Sequence, residues 1–232
     1  MRAMRALLAR IPAAAWLCAL VAVLAGTAWA VLVPPFHVPD ENGHVAYTQY
    51  LAETGRLPVR APQRDPLSEE INATLGALHF YEVIGKRGNK QPFGPEQARY
   101  LRAIEQQRFD RVGSDAGSAT ENGPLYYALT VVPYRLSPSR DLLDRLALMR
   151  LVSVLFLGLT AIAVFLFVRE VLPGDPWLWV IGGLLAALEP MAGFMAGGVN
   201  PDTQLFFLAS LTLLAAARCL RRGLTVPNGL LL

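Results

Sequence analysis

An all-α integral membrane protein is the fold class predicted by three features of the sequence. The 232 residues are 53% hydrophobic and only 17% charged, whereas a soluble domain carries about a quarter of its residues charged. Residues 13–36 form one uncharged run, and three more apolar segments, 146–168, 177–198 and 203–220, close the chain. Between these groups, residues 37–145 are polar and repeatedly broken by proline and glycine. That stretch is too long for a passive connection, so it is expected to form an external subdomain between spans 1 and 2. The net charge of +3, without basic stretches interleaved with aromatics, argues against a nucleic-acid partner. Cys18 and Cys219 both lie in apolar runs and suggest neither a disulfide framework nor a metal site.

Taken in order, residues 1–12 carry Arg2, Arg5 and Arg10, and the apolar run that follows is long enough to cross the hydrocarbon core. Basic-then-apolar is also the pattern of a cleaved signal peptide, with Gly26-Thr27-Ala28 as its small-residue site. The run exceeds a signal core and ends in Val33-Pro34-Pro35-Phe36, which favours a retained span. Positive charge ahead of it places the N-terminus in the cytoplasm of a multi-pass cell-membrane protein.

Directly after the run stands Pro34-Pro35-Phe36-His37-Val38-Pro39-Asp40-Glu41-Asn42-Gly43-His44. The prolines bar a helix here. Asp40 then suits an N-cap and Glu41 a first helical turn, with Gly55 and Pro58 as stop signals. On the resulting helix, from about 41 to 54, Asp40, His44, Tyr47 and Leu51 share one face. A carboxylate, an imidazole and a phenol thus converge beside the bilayer. His37 reads as a loop histidine without a role, and His79 as packed.

Residues 96–109 read as a surface helix, and 111–118 as a loop tip. Pro124 to Tyr134 is too short to span, so a helix lying in the interface is expected, with Tyr126, Tyr127 and Tyr134 at headgroup depth. Arg218, Arg221 and Arg222 end the last segment on the cytoplasmic side, ahead of a cytoplasmic end at 221–232. Counting back gives four spans with both ends cytoplasmic. A crossing at 122–137 would give five, and would put Asn200-Pro201-Asp202 on the opposite side from Asp40. Glu189, beside Pro190 in the third segment, faces either a wet interior or a hydrogen bond at a proline break. Gly182, Gly183, Gly193, Gly197 and Gly198 around it suit close helix packing.

Val38-Pro39-Asp40-Glu41-Asn42-Gly43-His44-Val45-Ala46-Tyr47, with Gly55-Arg56-Leu57-Pro58, resembles the first external loop of C-type (GT-C) membrane glycosyltransferases. It is most similar to bacterial relatives of the protein mannosyltransferases and to a group of predicted bacterial membrane proteins sharing the Pro-Asp-Glu…His start. Gly123-Pro124-Leu125-Tyr126-Tyr127 resembles that family's Pro-Pro-Leu-Tyr-Tyr element, with Asn122-Gly123 replacing its first positions. Pro190…Asn200-Pro201-Asp202 is similar to its second external loop. The resemblance runs over nearly the whole chain in the family's order. Family members have about twice as many spans, so the chain is expected to be the N-terminal part of such a bundle, and inactive by itself.

The resemblance implies inverting transfer of a sugar from a polyprenyl-phosphate donor to a glycan, lipid or protein acceptor outside the cytoplasm. Such chemistry needs a carboxylate to take the acceptor's proton and cations beside the leaving phosphate. Asp40 is the expected base and Glu41 a second carboxylate, orienting the acceptor or the helix. His44, Tyr47, Asn200 and Asp202 would support the base or bind the acceptor. Arg135, Arg140, Arg145 and Arg150 are the phosphate candidates, since guanidinium forks suit phosphate. No ligand spacing demands a metal, and a divalent cation held by Asp40, Glu41, His44 and Asp202 is chemically reasonable. The competing expectation is a non-enzymatic accessory subunit or binder of lipid-linked sugar. A transporter ranks last, because no inverted repeat is visible and Glu189 is the only acid deep in a span.

Overall fold

A computed structural model describes residues 11–59, 67–86, 88–90, 94–113, 117–139 and 141–224. It divides into two compact units: one takes in residues up to Leu32, Ser153–Gly197 and Asp202 onward, the other Val33–Val152 and Gly198–Pro201. The described residues are helical with loops between.

The first unit contains helix α1 (Ala13–Leu32), most of α7 (Leu142–Val171), the pair α8 (Pro176–Leu188) and α9 (Pro190–Ala196), and α10 (Asp202–Arg222). By length and composition α1, α7 and α10 can each cross a membrane. The chain is therefore an all-α membrane protein. Helices α8 and α9 are bent by 52° and add a fourth crossing if they act as one broken span. The third apolar segment is thus two helices with the break at Pro190. Proline has no N–H and clashes with the preceding turn, so Pro190 ends the helix. Glu189 caps the restart by accepting the Ala192 N–H, which is the second of its two expected readings.

Ala15, Cys18, Ala22, Leu157, Ala161, Phe165, Ala187 and Ala196 form the core of this unit. With mostly small side chains, backbones approach closely, as in many membrane helix contacts. A Cβ on Gly193 would lie 2.5 Å from the Trp29 indole nitrogen, and one on Gly183 2.9 Å from the Cys18 sulfur. At the far end of α7, Glu170 is buried and takes a bidentate bond from Arg222 (2.9 and 2.6 Å). Arg218 and Arg221 stand 3.6 and 3.5 Å from the same carboxylate.

The second unit holds α2 (Glu41–Thr54), α3 (Glu69–Ala77), α4 (Phe80–Val83), α5 (Pro95–Glu105), a 3-10 turn (Gly117–Glu121), α6 (Leu125–Leu136) and the first turns of α7. Helix α2 stops at Gly55, which turns left-handed (φ 68°) and donates its N–H to Leu51, the usual glycine C-cap. Its start differs from expectation. Asp40 occupies the cap position, but its own backbone is left-handed (φ 57°) and its side chain caps nothing. The expected surface helix is one turn shorter, ending at Glu105. Helix α7 begins earlier than 146, because Arg145 and Arg150 find protein partners and the helix tolerates them.

Helices α2 and α6 pack side by side, and that contact corrects the reading of the tyrosines. Tyr126 and Tyr127 are fully buried and Tyr134 is 2% exposed, so they fill the unit's core rather than lie exposed at headgroup depth. His79 is also not packed: its ring is partly exposed and pairs with Glu82 at 3.1 Å.

Helix α3 is tied down by polar contacts. Ser68 caps it by accepting the Ile71 N–H. Gln49 of α2 donates to Glu70 (2.6 Å), and Arg111 binds the other Glu70 oxygen through two nitrogens (3.1 and 3.0 Å). Burial pushes the Glu70 carboxyl above the usual range, with Arg111 opposing. A carboxyl raised on folding contributes fully below its unfolded pKa and loses that contribution as pH rises through the folded value. Glu70→Gln stays neutral, so it should flatten the loss of stability that sets in as pH rises above the ordinary carboxylate range. All seven tyrosines lie between residues 47 and 134 and all four tryptophans outside that stretch. Near-ultraviolet circular dichroism of the tyrosines during thermal unfolding therefore reports this unit, and an unchanged pH slope would refute the assignment.

Candidate functional site

The acidic stretch after α1 folds around a buried ion pair. Proline at 34, 35 and 39 keeps the chain out of helix until Glu41. Glu41, the first residue of α2, is 0% exposed. Arg150 reaches it from α7 and is 3% exposed. Its Nε and Nη2 donate to the two Glu41 oxygens at 2.8 Å each. Nη1 donates to the Val33 carbonyl (2.8 Å) and Nη2 also to that of Pro34 (3.0 Å). Glu41 Oε1 accepts one further bond, from the Val199 N–H (2.9 Å). Buried charges are tolerated only when paired and hydrogen-bonded in this way.

Beside the pair lies an aromatic cluster. Tyr47 stacks on Tyr127 with ring centroids 3.7 Å apart and planes 9° from parallel. His44 Nδ1 shares a hydrogen bond with the Tyr127 hydroxyl (2.9 Å). Tyr126 stands edge-on to Tyr127, and its hydroxyl accepts the Asn200 N–H (2.9 Å). Thr48 and Thr130 join α2 to α6 below the rings (2.8 Å). Burial pushes the Tyr47 phenol up.

The predicted residues separate into three groups. Glu41, His44, Tyr47, Asn200 and Arg150 come together in the buried cluster. Asp40, at its edge, is exposed. Asp202 opens α10, is exposed, and falls in the other compact unit. The arginines diverge. Arg135 donates to the Ala52 carbonyl, and Arg145 lies over the Tyr134 ring (4.3 Å) with its Nη1 3.7 Å from Glu53. The Tyr134 hydroxyl donates to Glu53 (2.7 Å), and burial first, then that bond, pushes its phenol up. Arg140 lies outside the described residues. His37 Nε2 is buried with no partner among the described residues, its ring edge-on to Phe80. Burial lowers its pKa, Glu41 raises it and Arg150 lowers it. Among the described residues no three or more His, Cys, Asp and Glu side chains gather to hold a metal ion.

Sequence reasoning missed Tyr127 as the centre of the cluster, having assigned it to the membrane interface. The available signal was spacing: Tyr127 and Thr130 fall on one face of α6, as His44, Tyr47 and Thr48 do on α2. Gln49 and Glu70 gave no local signal, since their bond joins separate helices.

No curated protein and no solved structure matches the chain. A family model described as "Predicted membrane protein (DUF2142)" matches residues 10–232. With several apolar helices on the page and that match over almost its whole length, the chain belongs to the DUF2142 family of predicted membrane proteins.

Proposed function

We propose that this membrane protein serves glycosyl transfer outside the cytoplasm, moving a sugar from a polyprenyl-phosphate donor to an acceptor hydroxyl with inversion. The N-terminus lies in the cytoplasm and the Asp40 loop outside the cell membrane. One observation carries the reading: Asp40 stands exposed at the start of α2 with its carboxylate not used as a cap. It agrees with the place of the loop carboxylate in the resembling GT-C transferases. In the reaction Asp40 takes the acceptor's proton as its oxygen bonds to the anomeric carbon from the face opposite the phosphate. The anomeric carbon–phosphate oxygen bond breaks, and polyprenyl phosphate leaves. Arg150 is engaged by Glu41 and Arg145 is buried against Tyr134 and Glu53, so the phosphate role falls to the exposed Arg135, with Arg140 the other candidate.

The test uses the full-length gene product in native membranes, with release of polyprenyl phosphate from radiolabelled lipid-linked sugar as readout. Asp40→Asn should lower turnover by about 10²–10⁴-fold at unchanged protein level. Unchanged turnover would remove Asp40 as base. No turnover in the parent protein would favour a non-enzymatic binder or accessory subunit.

A further inference from the structure

Asp40 has the sequence of a helix cap and the structure of something else. An aspartate before the first helical residue ordinarily takes extended backbone and accepts the N–H two or three positions on, here those of Asn42 or Gly43. Instead its backbone is left-handed, as is that of Phe36 (φ 65°). Aspartate tolerates that region better than most residues with a Cβ, whereas phenylalanine seldom adopts it unless its surroundings enforce it. The enforcing contacts are visible on both sides of Asp40. Before it, Arg150 holds the Val33 and Pro34 carbonyls, and Asn200 Nδ2 lies 3.4 Å from the Pro39 carbonyl. Val38 packs against Gly198, where any Cβ would lie 2.5 Å from the Val38 Cβ. After it, Glu41 is clamped by Arg150 and the Val199 N–H. The chain on either side of Asp40 is thus pinned.

We propose that Glu41 is a positioning residue and not a second catalytic carboxylate. Together with Arg150 and the Val199 amide, it holds Asp40 in the left-handed conformation. This keeps the Asp40 carboxylate presented to solvent and off the N-terminus of its own helix. The inference rests on the reading of Asp40 as the base. Its physical basis is direction: an apolar pair can replace the volume of a buried ion pair without loss of stability. It cannot reproduce donors aimed at two carbonyls and an acceptor for a backbone amide.

The experiment follows from that difference. Glu41→Leu combined with Arg150→Met, in the full-length protein, should fold and melt above Arg150→Met alone, because no buried charge is stranded, yet Asp40 should relax into an ordinary cap. Amide exchange at Asn42 and Gly43 should then slow. Polyprenyl phosphate release should fall about a hundredfold, mostly in kcat, as expected when a reacting group is displaced. Glu41→Gln, which keeps one acceptor and the side-chain shape, should lose far less turnover than Asp40→Asn. A paired variant that folds and turns over normally would overturn the proposal. So would Glu41→Gln matching Asp40→Asn in a folded protein. If the parent shows no turnover, the transferase reading fails, and the exchange measurement still decides the clamp: unchanged rates at Asn42 and Gly43 in the paired variant overturn it. Should the paired variant not fold, the Glu41→Gln exchange and turnover comparison carries the test.

Discussion

Replacing Arg150 alone by Met is expected to lower the stability of the protein by about 3–5 kcal/mol, the usual cost of stranding one partner of a buried pair. The Glu41 carboxylate would keep the Val199 N–H and lose both guanidinium bonds while remaining wholly buried. It must then either carry an uncompensated charge or take up a proton, and each raises the folded state's free energy. The Val33 and Pro34 carbonyls lose their donor as well. The measurement is thermal unfolding in detergent, followed by the tyrosine near-ultraviolet signal for the second unit and tryptophan fluorescence for the first. A tyrosine transition within a degree or two of the parent would mean that water replaces the guanidinium and that the pair contributes little.

Tyr127→Ala should have an effect of similar size, about 3–5 kcal/mol, as for other buried aromatic truncations. The ring is fully buried between Tyr47 and Tyr126, and truncation leaves a cavity where the two helices α2 and α6 meet. It also strips His44 of a hydrogen-bond partner. Tyr127→Phe separates the contributions, since it keeps the stack and removes only the hydroxyl, for about 1 kcal/mol. If Phe proves as damaging as Ala, the hydrogen bond to His44 dominates and the stacking account is wrong.

Much of this architecture was legible locally. The run beginning near Ala13 gave α1, and Pro34-Pro35 explains why the helix stops at Leu32 and not at 36. Gly55 ended α2 where its freedom at positive φ predicted. Pro190 marked the break between α8 and α9, although the sequence could not decide whether Glu189 faced a cavity or capped the second piece. The glycines near it do permit the close approach their composition suggested. The burial of the aromatics was not legible, for an identifiable reason. Tyrosine suits both the membrane interface and a protein core with a polar partner. Only the approach of α6 to α2 selects the core for Tyr126, Tyr127 and Tyr134.

The candidate site divides the same way. Sequence alone marked the stretch from Pro34 to Tyr47 and the Asn200 turn as related, and it listed Arg150 among four arginines. It ranked Asp40 as cap and base and Glu41 as a first-turn carboxylate, but had no means of telling which of the two is buried. The choice is made by partners 109 and 158 positions away, Arg150 and the Val199 amide, which converge on Glu41 and bury it. Local propensity would have made Asp40 a cap worth about 1 kcal/mol. The tertiary contacts outweigh that preference, because several charge-assisted hydrogen bonds in a water-free setting exceed one exposed cap. The membrane class, the helices and the ends marked by proline or glycine were therefore properties of neighbouring residues. Which carboxylate is locked inside, and which is left in the open, was decided only when distant segments met.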